Sequence, residues 1–525
     1  MPRSSEDLRP GTNIRGDAAG AAWTYLLDSL EAGRVLFVGE PSEASRRTLE
    51  RVATELVVTG PDLLAVSPGP YDLVCLDGRP AAGQAARMLA ALVPRLGDHG
   101  WVYLEGRTGQ ALARTAQDLG LADVARYRMT PAWGEVETAV PVGDEVVGGW
   151  FRRRGITARR GGGPVSRLGR ALFGTHDAAR VGLFAARSPS VGLAQRRVPG
   201  YIQAIAARDG VDLSSYRFGL SARGRYGSRK VILYLFGPER ALPGIVVKIT
   251  RDPSHNDRLV NEERALRRVA ETGLAERGTA PGVVFSGQHG GLQIVGETAI
   301  DGVLLTTGAA YRRGAPLAYR WLIELSARSA VRGTEGGPEI ASALEAIVSG
   351  IDRIYGPEAT EMEHLRQSAR QVRAQIDRLP AVFMHGDAAA WNVLLTPDDR
   401  VAFLDWEAAE PNGFPLWDLF HFARSHILAA SRLRRLARRP DALVRSMVED
   451  EELRAAIRLY QDRLAIDDSL VGPLFRLCWA HRALREVSRL EESRLGEGHY
   501  LGLMRASLRS ELDSAWTRPV EDATA

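Results

Sequence analysis

Hydrophobic and polar positions along this chain follow two different rhythms. Between residues 34 and 106, short apolar runs recur, each closed by a turn: RVLFVGE (34–40), ELVVTG (55–60), YDLVCLDG (71–78) and GWVYLEG (100–106). Runs of this length, rich in Val and Leu and ended by polar or glycine residues, predict strands buried on both faces. Between them the spacing lengthens. EASRRTLERVA (43–53) has helical character, and Met88, Leu89, Leu92, Val93 and Leu96 share one face of a helix over 85–97. Strand, helix and strand in this order predict an α/β domain with an open, Rossmann-like parallel sheet and right-handed crossovers. VGLFAARSP (181–189) reads as its last strand, which places a first domain at 1–190 and a linker at 191–200.

From residue 201 the pattern changes. YRFGLSARGRYGSRKVILYLFG (216–237) sets a glycine-spaced turn between β-type residues and predicts a hairpin. GIVVKIT (244–250) and GLQIVGE (291–297) are further strands, and DRLVNEERALRRVAETG (257–273) is a helix closed by glycine. After about residue 315 the sequence is mostly helical, apart from 383–405. The second half is therefore expected to be α+β, with a sheet-bearing part over 201–300 and a largely helical part over 301–525.

Composition adds bounds. A chain of 525 residues is too long for one ordinary core, so two or three domains are expected. The charged fraction of 25% and net charge of +4 give no basis for a nucleic-acid partner. Two cysteines, Cys75 and Cys478, exclude a disulfide framework and fit a reducing cytoplasm. No apolar run is long enough to span a bilayer, and the N-terminus lacks a signal-peptide core. Residues 152–170 hold seven arginines around a GGGP stretch, which reads as a solvated insertion or as a polyanion patch.

Candidate chemistry gathers in HGDAAAWN (385–392) and VAFLDWE (401–407). His385, Asp387 and Asn392 lie in a loop between apolar segments, and Asp405 ends the next strand. Two carboxylates and an amide at strand ends form a hard-oxygen site of the kind Mg2+ takes. Upstream, Lys248 lies inside an apolar strand, where a lysine is costly unless paired or phosphate-bound. Glu262 on the following helix is a candidate partner, with Glu263 beside it as the alternative. The hairpin glycines, Gly224 and Gly227 among them, offer backbone N–H groups to phosphates.

Glycine turn, strand lysine, helix glutamate, Asp-x4-Asn and strand-end aspartate is the order of parts in a kinase fold. Residues 216–425 resemble the aminoglycoside phosphotransferase and choline kinase family. HGDAAAWNVLL is similar to its HGDxxxxNxLL loop, FLDWE to its IDWE strand end, and PLWDLFHFA (415–423) to the helix start that follows. The resemblance implies a bilobal, protein-kinase-like fold that moves the γ-phosphoryl group of ATP to a hydroxyl of a small molecule. It implies Asp387 at the acceptor hydroxyl, Asn392 and Asp405 on Mg2+, and Lys248 on the ATP phosphates with Glu262 fixing it. It further implies a hinge at 294–297, including Val295 and Glu297, that holds adenine. His385 would shape the loop and Asp418 would brace it, whereas Glu407 is left between metal and substrate. Trp391 and Trp479 are candidates for stacking or core, and His421, His426 and His481 have no metal spacing. The five arginines of SRLRRLARRP (431–440) read as a solvated face or as recognition of an anionic acceptor.

Residues 20–188 resemble a class I methyltransferase domain, most closely around Leu92–Gly106. The first βα turn departs from that family. It reads GEPSEAS, keeping only Gly39 where a glycine-rich cofactor turn is needed. A degenerate domain serving docking or substrate presentation is therefore expected ahead of S-adenosylmethionine binding. The alternatives are a bifunctional methyltransferase–phosphotransferase and a catalytically silent binding protein.

Overall fold

A computed structural model describes residues 20–60, 68–76, 82–106, 110–122, 124–130, 136–154, 180–187, 198–222, 230–306, 310–332, 337–430, 439–487, 492–509 and 516. These form two compact units. One takes residues up to 259 together with 283–299, and the other takes 260–282 and the chain from 300 onward.

The first unit is built on a single sheet. Its strands are β1 Ala32–Val38, β2 Ala53–Thr59, β3 Tyr71–Leu76, β4 Leu96–Gly106, β5 Val124–Thr130, β6 Thr138–Pro141, β7 Arg180–Ala186, β8 Arg217–Ser221, β9 Lys230–Phe236, β10 Ile245–Thr250, β11 Val283–His289 and β12 Leu292–Thr298. Their spatial order is β11-β12-β10-β9-β8-β6-β5-β7-β4-β3-β1-β2. At one end β2, β1, β3 and β4 pair in parallel, joined by α1 Glu43–Val52 and α2 Ala82–Leu92. Every other pairing, from β4–β7 to β11–β12, is antiparallel. β7 does not end the sheet. It inserts between β4 and β5, and the following strands continue outward from β6.

Burial explains the apolar runs. In β1, Val35 and Phe37 enter one core, while Leu36 and Val38 enter another on the opposite face. A strand covered on both sides has no polar face to show. The first of these cores extends across the sheet. Trp23 stacks on Tyr103 at 3.9 Å, and Tyr127 touches both Phe184 and Phe218. The same cluster runs on through Leu233, Val247 and Ile294. Tyr201, Ile202 and Ile205 of α5 Gly200–Arg208 join it, and the Gly200 N–H donates to Asp28 Oδ1 at 3.0 Å. Between α2 and α5 lie α3 Gln110–Asp118 and α4 Glu145–Arg153, and Trp150 and Phe151 of α4 pack on Phe236 of β9.

The boundaries expected at 190 and 200 thus fall inside one unit. Pairing of Thr138 with Ser221 and Ala139 with Leu220 ties β6 to β8, so backbone groups at both strand edges are satisfied and the apolar faces pool. The expected hairpin is present as the β8–β9 pair. Its turn, with Gly224 and Gly227, lies outside the described residues, as do 155–170 of the arginine-rich stretch and 431–438 of the later one.

The second unit takes most of α6 Asn256–Glu271 and is mainly helical: α7 Ala310–Ser329, α8 Gly337–Tyr355, α9 Ala359–Ala374, α10 Trp417–Ala430, α11 Pro440–Glu449, α12 Glu451–Leu464, α13 Val471–Glu486 and α14 His499–Arg509. Two small sheets sit among them, β13 Val303–Leu304 with β15 Val393–Leu395 and β16 Val401–Phe403, and β14 Val382–Met384 with β17 Glu410–Gly413. Aromatic packing fixes the strand ends. Trp321 stacks on Phe403 at 4.4 Å, and Trp406, fully buried, lies parallel to Phe383 at 5.8 Å.

Candidate active site

The loop 385–392 links β14 to β15 and is clamped from several sides. Gly386 has φ +75, and a Cβ there would stand 1.9 Å from the Ala408 carbonyl oxygen, so only glycine fits. Asp418, in the first turn of α10, accepts the His385 N–H at 2.6 Å on one oxygen and the Gly386 N–H at 3.1 Å on the other. This is the bracing role expected of it. Ser425, two turns along the same helix, accepts the Ala390 N–H at 2.8 Å. His385 is fully buried, and its Nε2 lies 3.0 Å from the Leu404 carbonyl. A carbonyl only accepts, so Nε2 carries the proton and Nδ1 is left to accept the Asp387 N–H at 3.2 Å. His385 thereby shapes the loop.

Asp387 is held by three groups. Asn392 Nδ2 donates to its Oδ2 at 3.0 Å and to its carbonyl at 3.0 Å. His421 Nε2 reaches its Oδ1 at 3.0 Å, and the Arg482 guanidinium stands 3.6 Å from the same oxygen. Burial pushes the Asp387 carboxyl up, but His421, Arg482 and His385 outweigh it and hold the group well below the usual carboxylate range. Burial, aided by Arg482, lowers the His421 imidazole well below its ordinary value despite Asp387. A neutral His421 that donates through Nε2 next to an ionised Asp387 satisfies both directions.

Asn392 uses its N–H groups on Asp387, so its Oδ1 is the atom open to a cation. Its backbone carbonyl accepts the Leu404 N–H at 2.8 Å, which brings the end of β16 beside the loop. Asp405 follows in the left-handed region, at φ +67, a conformation Asp tolerates better than most residues. Oxygens of Asp405, Glu262 and Glu407 all lie within 4.8 Å of one another. Glu262 Oε1 also accepts the Trp406 N–H at 3.1 Å, and Asn261 Nδ2 donates to the carbonyls of Glu407 and Ala409. An all-oxygen donor set of this kind suits magnesium.

In the other unit, Lys248 falls between Val247 and Ile249 in the strand's alternation, on the opposite face, and so leaves the shared core to them. Its ammonium lies 2.5 Å from Glu297 Oε1, and both residues are buried. Glu297 is one partner of Lys248, because Lys248 faces Val295 across the β10–β12 ladder and Glu297 is the next residue on that face. The hinge expected at 294–297 is strand interior. Ile294 to Glu297 pair with β10 on one side and with β11 on the other, so their backbone groups serve the sheet. The chain leaves the strand only after Thr298, four residues before Gly302.

His421 and Arg482 carried no signal in the sequence. His421 falls one helical turn after Asp418, which places it on the loop side of α10 once Asp418 is known to brace that loop. Arg482 belongs to α13, and nothing local links it to Asp387.

Residues 234–447 match the model of the phosphotransferase enzyme family. No curated protein matches the chain. Among solved structures, the chain is similar to an aminoglycoside phosphotransferase from Streptomyces rimosus, at 14% identity and a TM-score of 0.32 over 58% of this chain and 97% of that one. A choline kinase from Streptococcus pneumoniae gives 13% identity and a TM-score of 0.38 over 55% and 92%. An ethanolamine kinase from Plasmodium vivax gives 13% and 0.35 over 58% and 84%.

Proposed function

We propose that the protein is a phosphotransferase that moves the γ-phosphoryl group of ATP to a hydroxyl of a small molecule. One observation carries this reading within the matched segment: the Asp387 side chain, fixed at both oxygens, next to Asn392 and the strand end that bears Asp405. Phosphoryl transfer needs positioning and charge stabilisation more than covalent help. Asp387 orients the acceptor hydroxyl and takes its proton as the oxygen attacks. His421 and Asn392 keep the carboxylate from rotating. Asn392 Oδ1 and Asp405 are the ligands assigned to Mg2+, with Glu262 and Glu407 beside Asp405. Bound there, the ion neutralises charge on the phosphates. Lys248, oriented by Glu297, is assigned to the nucleotide phosphates, and the backbone beyond Thr298 to the adenine.

The N-terminal portion is assigned a structural role, which its common core with β8–β12 supports. S-adenosylmethionine is outside this reading; calorimetric binding at micromolar affinity would bring methyl transfer back in. Among the described residues no helix is long and apolar enough to cross a membrane. The test is acceptor-dependent ADP release by the wild type and by Asp387→Asn. General-base catalysis is worth about 10²–10⁴-fold, so the variant should lose at least a hundredfold in kcat. Equal turnover by both proteins with every acceptor would overturn the assignment.

A further inference from the structure

The groups that surround Asp387 from α10, α13 and α14 are cationic and aromatic. Arg482 lies 3.6 Å from Asp387 Oδ1. One turn beyond His421 on α10, Arg424 is 4% exposed, with its guanidinium 5.4 Å from the Trp391 ring and 4.9 Å from the Tyr500 ring. Its Nη1 contacts His499 Nε2 at 3.0 Å, and its buried Nε has no hydrogen-bond partner. Among the described residues no carboxylate lies within 4 Å of it. The Trp479 indole N–H, on a ring parallel to Tyr500 at 6.3 Å, is also buried without an acceptor. Trp391, four residues after Asp387, is 44% exposed and so forms the outer edge of this group.

The nearby acids are already engaged. Asp418 accepts two backbone N–H groups, and Glu410 is paired with Arg485 and His481. Glu486 accepts the Tyr500 N–H at 2.9 Å, and Asp387 is held at both oxygens, so among the described residues these acids too are engaged. A buried guanidinium without a counter-charge is costly. A planar fork held over aromatic rings, as Arg424 is over Trp391 and Tyr500, also receives a carboxylate or phosphate with little loss of freedom.

We propose that the acceptor is an anionic alcohol, bearing a carboxylate or a phosphate monoester near the reacting hydroxyl, and that Arg482 and Arg424 bind the anionic group while Trp391 and Tyr500 flank it. This rests on the phosphotransferase reading of Asp387. Arg482 meets both the anion and Asp387, and so sets the distance between the charge and the hydroxyl. Arg424 reads charge only.

The test has two arms on the full chain. The first measures ADP release, with ATP and Mg2+, for four acceptors on one skeleton: glucose, glucuronate, glucose 6-phosphate and glucosamine. The second measures calorimetric binding of inorganic phosphate and of glucuronate without nucleotide, in the wild type, Arg424→Gln and Arg424→Lys. The wild type should favour glucuronate or glucose 6-phosphate over glucose by at least about tenfold in kcat/KM, with glucosamine lowest. Arg424→Gln should reduce the anionic-to-neutral ratio roughly tenfold to hundredfold, the range of a charge-assisted hydrogen bond. Arg424→Lys keeps the charge without the fork and should fall between them; it also serves if Arg424→Gln fails to fold. Whichever anion binds more tightly identifies the group as phosphate or carboxylate. Turnover that favours glucose or glucosamine sinks the proposal and leaves the phosphotransferase reading standing. Anion binding that disappears in Arg424→Gln, without turnover of these four acceptors, supports the anion subsite and leaves the phosphotransferase reading to the Asp387→Asn comparison. Anion binding that is absent from the wild type, or unchanged in both Arg424 variants, overturns the proposal whatever is turned over.

Discussion

Replacing Asp418 by asparagine tests whether the catalytic loop is held by α10. The residue is 8% exposed, and each carboxylate oxygen serves one backbone N–H, of His385 at 2.6 Å and of Gly386 at 3.1 Å. Burial pushes this carboxyl above its usual range, against the pull of His385, Arg482 and the two N–H groups. Even a protonated acid keeps two accepting oxygens, whereas an amide keeps one and turns an NH2 toward the other N–H. The variant therefore loses one hydrogen bond and leaves a buried donor unsatisfied. A bond to a charged group contributes about 1.5–3 kcal/mol, and a buried unsatisfied group costs about 1–3 kcal/mol, so a net loss of about 3 kcal/mol is expected. At roughly 2–4 °C per kcal/mol for a unit of this size, the helical unit should unfold roughly 6–12 °C lower. The assay is a thermal scan of the full chain by circular dichroism, with Asp418→Ala alongside. Alanine removes both acceptors and should be no more stable than asparagine. Unfolding of Asp418→Asn within about 1 °C of the wild type would refute the bracing argument.

Other expectations follow from the same geometry. Gly386→Ala must relieve a 1.9 Å contact with the Ala408 carbonyl at φ +75; left-handed backbone alone costs about 1–2 kcal/mol, and a shift of about 1 Å at Asp387 should lower kcat roughly a hundredfold, measured once an acceptor is in hand. Burial lowers His481 to about 4, against the pull of Glu410, so the unfolded chain takes its proton first; this stability is present above pH 6.5 and is lost as pH falls from 6.5 toward 4. His421 acts in the same direction, and His481→Gln should flatten the acid limb of Tm against pH. Deleting residues 1–199 should give no soluble, cooperatively folding remainder, because β8 loses β6 and the core side chains from Trp23 to Phe184 leave with the deleted segment; a monodisperse product by size-exclusion chromatography with native-like near-UV circular dichroism would contradict the common core.

The sequence alone determined the local parts. Apolar run length identified β1, β3 and β4, and the Gly-rich turn between β-type residues identified the β8–β9 pair, because strand pairing across a short turn is a local matter. Asp387, Asn392 and Asp405 were legible for a similar reason. A loop between two strands has to carry its polar residues at fixed offsets, and Gly386 has to be glycine where the Ala408 carbonyl closes on it. Tertiary structure decided how those parts join. No spacing indicates that β7 inserts between β4 and β5, or that β6 pairs with β8, since edge strands take partners by backbone geometry and carry no matching side-chain code. Nor could spacing reveal that Glu297 stands beside Lys248, because that depends on which residues share a sheet face after β10 and β12 come into register. Arg482 is the clearest case. Its place beside Asp387 exists only because α13 packs against α10, and a charge whose partner is remote in sequence has a meaning only folding can supply.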